Sequence, residues 1–222
     1  MLLTDNLATS LIPGNTTLPT KLYPGSTTTE ITLAQNNTSV ILTNSSVVQT
    51  IIIPDSVDEQ LVINYTSLLS GTTVSVPTGF DVIFNTTNTN SASISVNATI
   101  SNGTTLTGPS GWNGILNLPT TTSVTVPSTT ASGVTTTYSE IAAIELGVDG
   151  STIQLSSPAR IIFTGSGTNN PAAFFVNTSG TVIIISTQCT SDSASGMPAS
   201  ADECYFDNGD DLIIWTDHFT KF

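Results

Sequence analysis

Basic residues are almost missing from this chain. Three Lys and Arg stand against sixteen Asp and Glu, with a single histidine, for a net charge of −13 over 222 residues. A surface of that sign repels nucleic-acid phosphates and anionic headgroups, so neither is an expected partner. Charge of either sign is scarce, at 9% of residues, about a third of the usual share. Cysteines number two, too few thiols for a structural metal site without several imidazoles to help. No apolar run reaches the roughly 18 residues a spanning helix needs, so no membrane span is expected. Met1-Leu2-Leu3 passes at once into Thr4-Asp5, without the apolar stretch of a signal peptide; the chain reads as a mature form or a piece of something longer. Glycine is absent from Thr27 to Pro54, which removes the strongest turn signal from that segment.

Threonine and serine, 41 and 28 residues, fill the space left by charge. Hydrophobic residues still make up 38%, and they are rich in Ile and Val, enough for a core rather than a disordered chain. Thr, Val and Ile are stiff at χ1 and favour the pleated strand over the helix. The expected class is all-β, an antiparallel sandwich with jelly-roll or immunoglobulin-like topology left open, preceded by an extended β-rich segment.

Residues 1–26 are broken by Pro13-Gly14, Pro19 and Pro24-Gly25 and read as an irregular lead-in. Apolar clusters follow at Ile31/Leu33, Val40-Ile41-Leu42 and Val47-Val48 to Ile51-Ile52-Ile53, with no turn strong enough to fold them into hairpins. From about position 50 short strands recur between turn signals, the pattern of a sandwich or barrel. The clearest is Ala92 to Ile100, alternating at Ile94, Val96, Ala98 and Ile100; Asn102-Gly103 after it is a hairpin-type dipeptide. The expected division is an extended segment at 1–49, serving as donor strand or linker, and a sandwich at 50–222.

The last residues carry the most specific signal. Cys189 and Cys204 lead into Asp-Leu-Ile-Ile-Trp-Thr-Asp-His-Phe-Thr-Lys-Phe at 211–222. This run resembles the closing segment of a Thr-rich module of large archaeal and bacterial cell-surface proteins (S-layer-like or adhesin-like), Asp-Leu-(Val/Ile)-(Ile/Val)-Trp-Thr-x-His-Phe-Thr-x-Phe. Ile51-Ile52-Ile53-Pro54, Gly71-Thr72-Thr73, Gly108-Pro109-Ser110-Gly111-Trp112-Asn113-Gly114, Ser157-Pro158-Ala159-Arg160-Ile161 and Gly165-Ser166-Gly167 fall in the order expected of that module. The resemblance covers roughly 50–222 and implies an extracellular location and a surface architecture, not a chemistry.

Few residues suggest chemistry. In an extracellular chain Cys189 and Cys204 are expected to form a disulfide. Asp202, Glu203, Asp207, Asp210 and Asp211 crowd around Asn208-Gly209; they are either a solvated acidic turn or oxygen donors for structural calcium, with Asp207, Asp210 and Asp211 the candidate ligands. No other cofactor is expected. His218 sits between Asp217 and Phe219 and reads as a packed structural histidine; no nucleophile or carboxylate motif marks an enzyme. Trp112, on a Gly-rich loop, is either a core aromatic or a ligand platform. Sequons begin at Asn15, Asn36, Asn37, Asn44, Asn64, Asn85, Asn97, Asn102 and Asn177, candidate glycosylation sites that a chain so rich in Asn, Ser and Thr also makes by chance.

Together these features point to a non-catalytic, extracellular structural protein of the cell surface. Its partners would be copies of itself or neighbouring surface proteins, joined into a filament or S-layer-like assembly by β-strand addition. An adhesion or carbohydrate-binding module, with glycans as partners, is the alternative.

Overall fold

The computed structural model describes residues 21–33, 39–53, 61–76, 79–87, 93–121, 125–126, 128–131, 134–138, 142–148, 150–167, 171–220 and 222. Asn15, Asn36 and Asn37 lie outside them. The all-β expectation holds: two short 3-10 turns, Thr66–Leu68 and Ala194–Gly196, are the only helical elements among the described residues.

The first strands are short and cross back and forth between two sheets. β1 (Lys21–Leu22), β3 (Ser39–Ile41) and β5 (Val62–Asn64) stack in parallel in one; β2 (Glu30–Thr32), β4 (Thr50–Ile53) and β7 (Phe80–Thr87) stack in parallel in the other. Between β5 and β7 lies β6 (Thr73–Ser75). This is the arrangement of a two-sided coil, in which β1, β2 and β3 each pair with the next strand but one and β4 skips β5 and β6 to reach β7. It follows from the missing glycines: without tight turns the chain cannot double back beside itself, and parallel pairing requires an intervening crossover. Here the crossover is a strand of the opposite sheet. The described residues of the segment expected to extend away as a donor strand, 21–33 and 39–49, contribute strands to both sheets, and Ile31, Leu33, Val40, Leu42 and Val48 are buried in the same core as the later strands. The sandwich is mixed, with its parallel strands at this end.

The rest is antiparallel. β8 (Ser93–Ile100) pairs along all of β7, and its alternation buries Ile94, Val96, Ala98 and Ile100 as expected. Asn102-Gly103 makes a turn, Gly103 taking the left-handed conformation. The flanking strands do not form a hairpin, however, because β9 (Thr105–Thr107) turns away to pair with β6. β10 (Ile115–Thr121) joins β5 to β13 (Ile144–Gly147) in the first sheet; β11 (Thr129–Ala131) and β12 (Val134–Thr136) form a separate hairpin. β14 (Ile153–Phe163) is shared, pairing with β9 near Gln154 and with β8 from Arg160. Pro158 lies in the irregular stretch between these halves, where a residue without an N–H is tolerated. β15 (Phe174–Val176) and β16 (Val182–Ile184) form a two-stranded ribbon. β17 (Glu203–Asp207) and β18 (Leu212–Phe219) close the second sheet, whose order is β17-β18-β14-β8-β7-β4-β2. Beyond β18 the chain crosses to the first sheet, where Phe222 exchanges both backbone hydrogen bonds with Ile144 (2.7 and 2.8 Å).

Candidate functional site at the closing hairpin

β18 is buried on both faces. Leu212, Ile214 and Phe219 join the main core; Ile213 and Trp215 join a second cluster with Cys189 and Cys204. A near-continuous apolar strand is what burial on both faces demands. The outer cover is the loop 188–201, and Met197 and Phe206 pack against that second cluster. Cys189 and Cys204 form the expected disulfide. Residues 187–189 run alongside β17: Tyr205 N–H donates to the Thr187 carbonyl, and Cys189 N–H to the Tyr205 carbonyl.

The middle of this loop is held by charge. Arg160 on β14 makes a bidentate pair with Asp192, Nε to Oδ1 at 2.7 Å with a second bond to Oδ2. The Trp215 indole N–H donates to the same Oδ1 at 3.0 Å. The Arg160 guanidinium, helped by the indole, holds the Asp192 carboxyl below the ordinary carboxylate range, against the opposing effect of partial burial. Paired forks of this kind are the strong form of ion pair. Sequence reasoning missed this contact. The one available signal was that Arg160 is among only three basic residues; its acid lies 32 positions away.

The acids that crowd together in sequence separate in space. β17 runs between them, so Asp202 and Glu203 lie at one end of the hairpin and Asp207, Asp210 and Asp211 at the other, roughly 14 Å apart along a five-residue strand. At the turn, Asp207 Oδ1 accepts from Gly209 N–H, Asn208 Oδ1 from the N–H groups of Asp210 and Asp211, and Asp211 Oδ1 from Gly165 N–H. Gly167 lies hard against this turn, its N–H donating to the Asp210 carbonyl; a Cβ there would stand 2.6 Å from Asp211 N. The Asp207 and Asp211 carboxylates thus hold the turn, and among the described residues no group of three or more His, Cys, Asp or Glu is arranged to hold a metal ion.

At the other end His218 is buried, edge-on to Phe175 at 5.6 Å and tilted against Phe222 at 6.0 Å between ring centres. Its Nδ1 faces Thr216 Oγ1 at 3.0 Å, Asp217 at 3.5 Å and Glu203 at 3.9 Å. The Thr216 hydroxyl donates to the His218 carbonyl, so the ring nitrogen is the donor in the Thr216 contact. A catalytic relay needs nucleophile and acid on opposite ring nitrogens; here both face Nδ1. Burial lowers the imidazole pKa against the pull of Asp217. Burial, then the charge of Asp202, raises Glu203 and Asp217.

The ligand platform considered at Trp112 is corrected. The residue is 6% exposed, its indole N–H donates to the Ile115 carbonyl at 2.7 Å, and Gly108 lies so close that a Cβ would penetrate the ring. Trp112 is a core aromatic whose polar end is satisfied, leaving no face for a ligand. Of the sequons, Asn64 ends β5, Asn85 and Asn97 lie within β7 and β8, and Asn44, Asn102 and Asn177 lie outside strands.

No protein-family model matches the chain, and no curated protein or solved structure matches it.

Proposed function

We propose that this chain is a non-catalytic structural module of an extracellular surface that joins neighbouring subunits by β-strand addition into a filament or S-layer-like assembly. The observation that carries the reading is the open end of the parallel stack. β1 ends the order of one sheet and β2 that of the other, and among the described residues each has a single strand partner. Leu33 N–H donates inward to Ile52, so by strand alternation the Thr32 N–H faces the free side. An edge of unpaired backbone groups is a template for another strand. The disulfide, the sequons and the near-absence of tryptic sites support the extracellular location; among the described residues no helix is long and apolar enough to cross a membrane.

The test leaves the fold intact and blocks the edge. Thr32→Pro removes an outward N–H from an exposed position of an edge strand, where proline is tolerated. Negative-stain microscopy of the wild type should show fibres or lattices, and the variant should remain monomeric with an unchanged circular dichroism spectrum. A wild type that stays monomeric at high concentration, or a variant that polymerises as well, overturns the reading.

A further inference from the structure

Nine sequons are too many to treat alike, and the fold separates them. An oligosaccharyltransferase must draw all three residues of Asn-x-Ser/Thr into an extended groove, so each must be free of the core. Asn97 fails because Ala98 is fully buried in the middle of β8. Asn64 fails because Tyr65, its middle residue, is fully buried and the Thr66 hydroxyl donates to the Asn113 carbonyl. Asn102 is exposed, but Thr104 is 1% exposed with its hydroxyl enclosed in the core. Asn44 is exposed, but Ser46 is buried and its hydroxyl accepts from Thr43 N–H.

Asn177 is itself half-buried, and it differs in the two residues that follow it. It stands at the tip of the β15–β16 ribbon, and Thr178, Ser179, Gly180 and Thr181 are all exposed. Its Oδ1 accepts three hydrogen bonds, from the Ser179 hydroxyl at 2.7 Å, Ser179 N–H at 3.1 Å and Thr181 N–H at 2.9 Å. With the oxygen held by these three donors, the amide nitrogen is turned away from them. The required hydroxyl is already beside the asparagine it must accompany. Gly180, in the left-handed conformation with nothing near its missing Cβ, keeps the tip uncrowded.

The ribbon itself gives a second reason. Ile183 and Ile184 are adjacent in β16 and therefore point to opposite faces, yet they are 36% and 38% exposed. No charged residue occurs from Ile161 to Ser191. The ribbon packs Phe175 on the main core and Phe174 on Tyr138, but the exposed flanks at Ile183 and Ile184 leave uncharged apolar surface in water, an aggregation hazard. A glycan rooted at its tip, two residues from Ile183 across Thr181-Val182, would cover it.

We propose that Asn177 is the N-glycosylation site that this fold presents, acting with the Ser179 hydroxyl. The co-reactant is a lipid-pyrophosphate-linked oligosaccharide. The Asn177 Nδ2 attacks C1 of its first sugar, forming the C–N bond; the C1–O bond to phosphate breaks, and the lipid pyrophosphate leaves with the electron pair. The amide proton passes to a carboxylate of the transferase, and nothing is oxidised or reduced. The extracellular reading supplies the compartment on which this rests.

The test uses the purified, folded chain with a single-subunit oligosaccharyltransferase of relaxed Asn-x-Ser/Thr specificity, its lipid-linked donor, and a short reporter peptide in the same tube to prove turnover. Glycopeptide mass spectrometry should find Asn177 occupied above every other sequon. Asn177→Gln and Ser179→Ala should each abolish that glycopeptide, and Thr178→Ala should keep it. Modification of the reporter with none on Asn177, preferential occupancy of Asn44, Asn64, Asn97 or Asn102, or persistence in Ser179→Ala overturns the proposal. None of these outcomes bears on assembly, which microscopy of the unmodified protein reads separately.

Discussion

The two ends of the molecule solve the same problem by different means. Each must hold strands that are far apart in sequence. The parallel stack β1–β5 does so with strands of two to four residues, and none of the ion pairs or disulfides found among the described residues touches it. Its stabilisation is burial of side chains such as Val40, Ile51 and Ile63, all fully enclosed. The closing hairpin has longer strands in antiparallel pairing and a short turn; a disulfide ties it to the loop before it, and a bidentate ion pair ties that loop to β14. The difference teaches where cooperativity resides. A stack without local turns has little to gain until its neighbours are in place, whereas the hairpin can form from its own contacts.

A proline in β4 should have the largest effect. Ile51→Pro interrupts the strand joining β2 to β7 and removes a fully buried side chain, at a cost above about 3 kcal/mol. Hydrogen exchange should then lose protection across 30–53 while β17 and β18 stay protected. Uniform loss would show that the two ends unfold as one unit. The mirror experiment removes the covalent staple. Cys189→Ser with Cys204→Ser should cost about 3 kcal/mol for a 15-residue span, read as a shift in denaturant midpoint that reductant reproduces on the wild type.

Smaller still is the ion pair. Asp192→Ala leaves Arg160 and the Trp215 indole without their acceptor, and partial solvent access limits the loss to about 1–2 kcal/mol. A double-mutant cycle with Arg160→Ala should show coupling; additive losses would mean that the disulfide alone positions the loop.

The smallest effect is the pH dependence of the His218 cluster, where two terms oppose. The buried imidazole titrates below its ordinary value of about 6.5, so the unfolded chain binds that proton more readily, and the stability it contributes falls as pH drops through this range. Glu203 and Asp217 titrate above the ordinary carboxylate range, so the native state takes up their protons first and acidification adds stability. In the wild type the two contributions therefore act against each other between neutral pH and the carboxylate range. His218→Gln should gain stability on acidification, and Glu203→Gln with Asp217→Asn should lose it. Asp192 acts lower, its depressed carboxyl giving up its contribution only as pH falls below about 4.

Much of this molecule could be read from the chain because its cause is local. Alternation in Ile94–Ile100 determines which side chains of β8 face the core, whatever β8 pairs with. The apolar run at 212–215 requires burial on both faces. The only two cysteines of the chain have one possible intramolecular pairing, and they form it. The Trp112 ambiguity was of another kind, since exposure depends on Gly108 allowing the indole to lie flat against the backbone, and the spacing of the two residues does not state that.

By itself, then, the sequence determined the all-β class, the strand faces, the cysteine pair and, among the described residues before Pro54, the lack of hairpins. The tertiary structure decided that those turnless strands coil in parallel between two sheets, that Arg160 meets Asp192, that one acidic cluster becomes two, and that the Asn177 sequon, unlike those at Asn44, Asn64, Asn97 and Asn102, has no residue in the core. The reason is range. Side-chain alternation and turn chemistry act over a few residues, while strand partners and burial of a particular hydroxyl are settled only when distant segments close on one another.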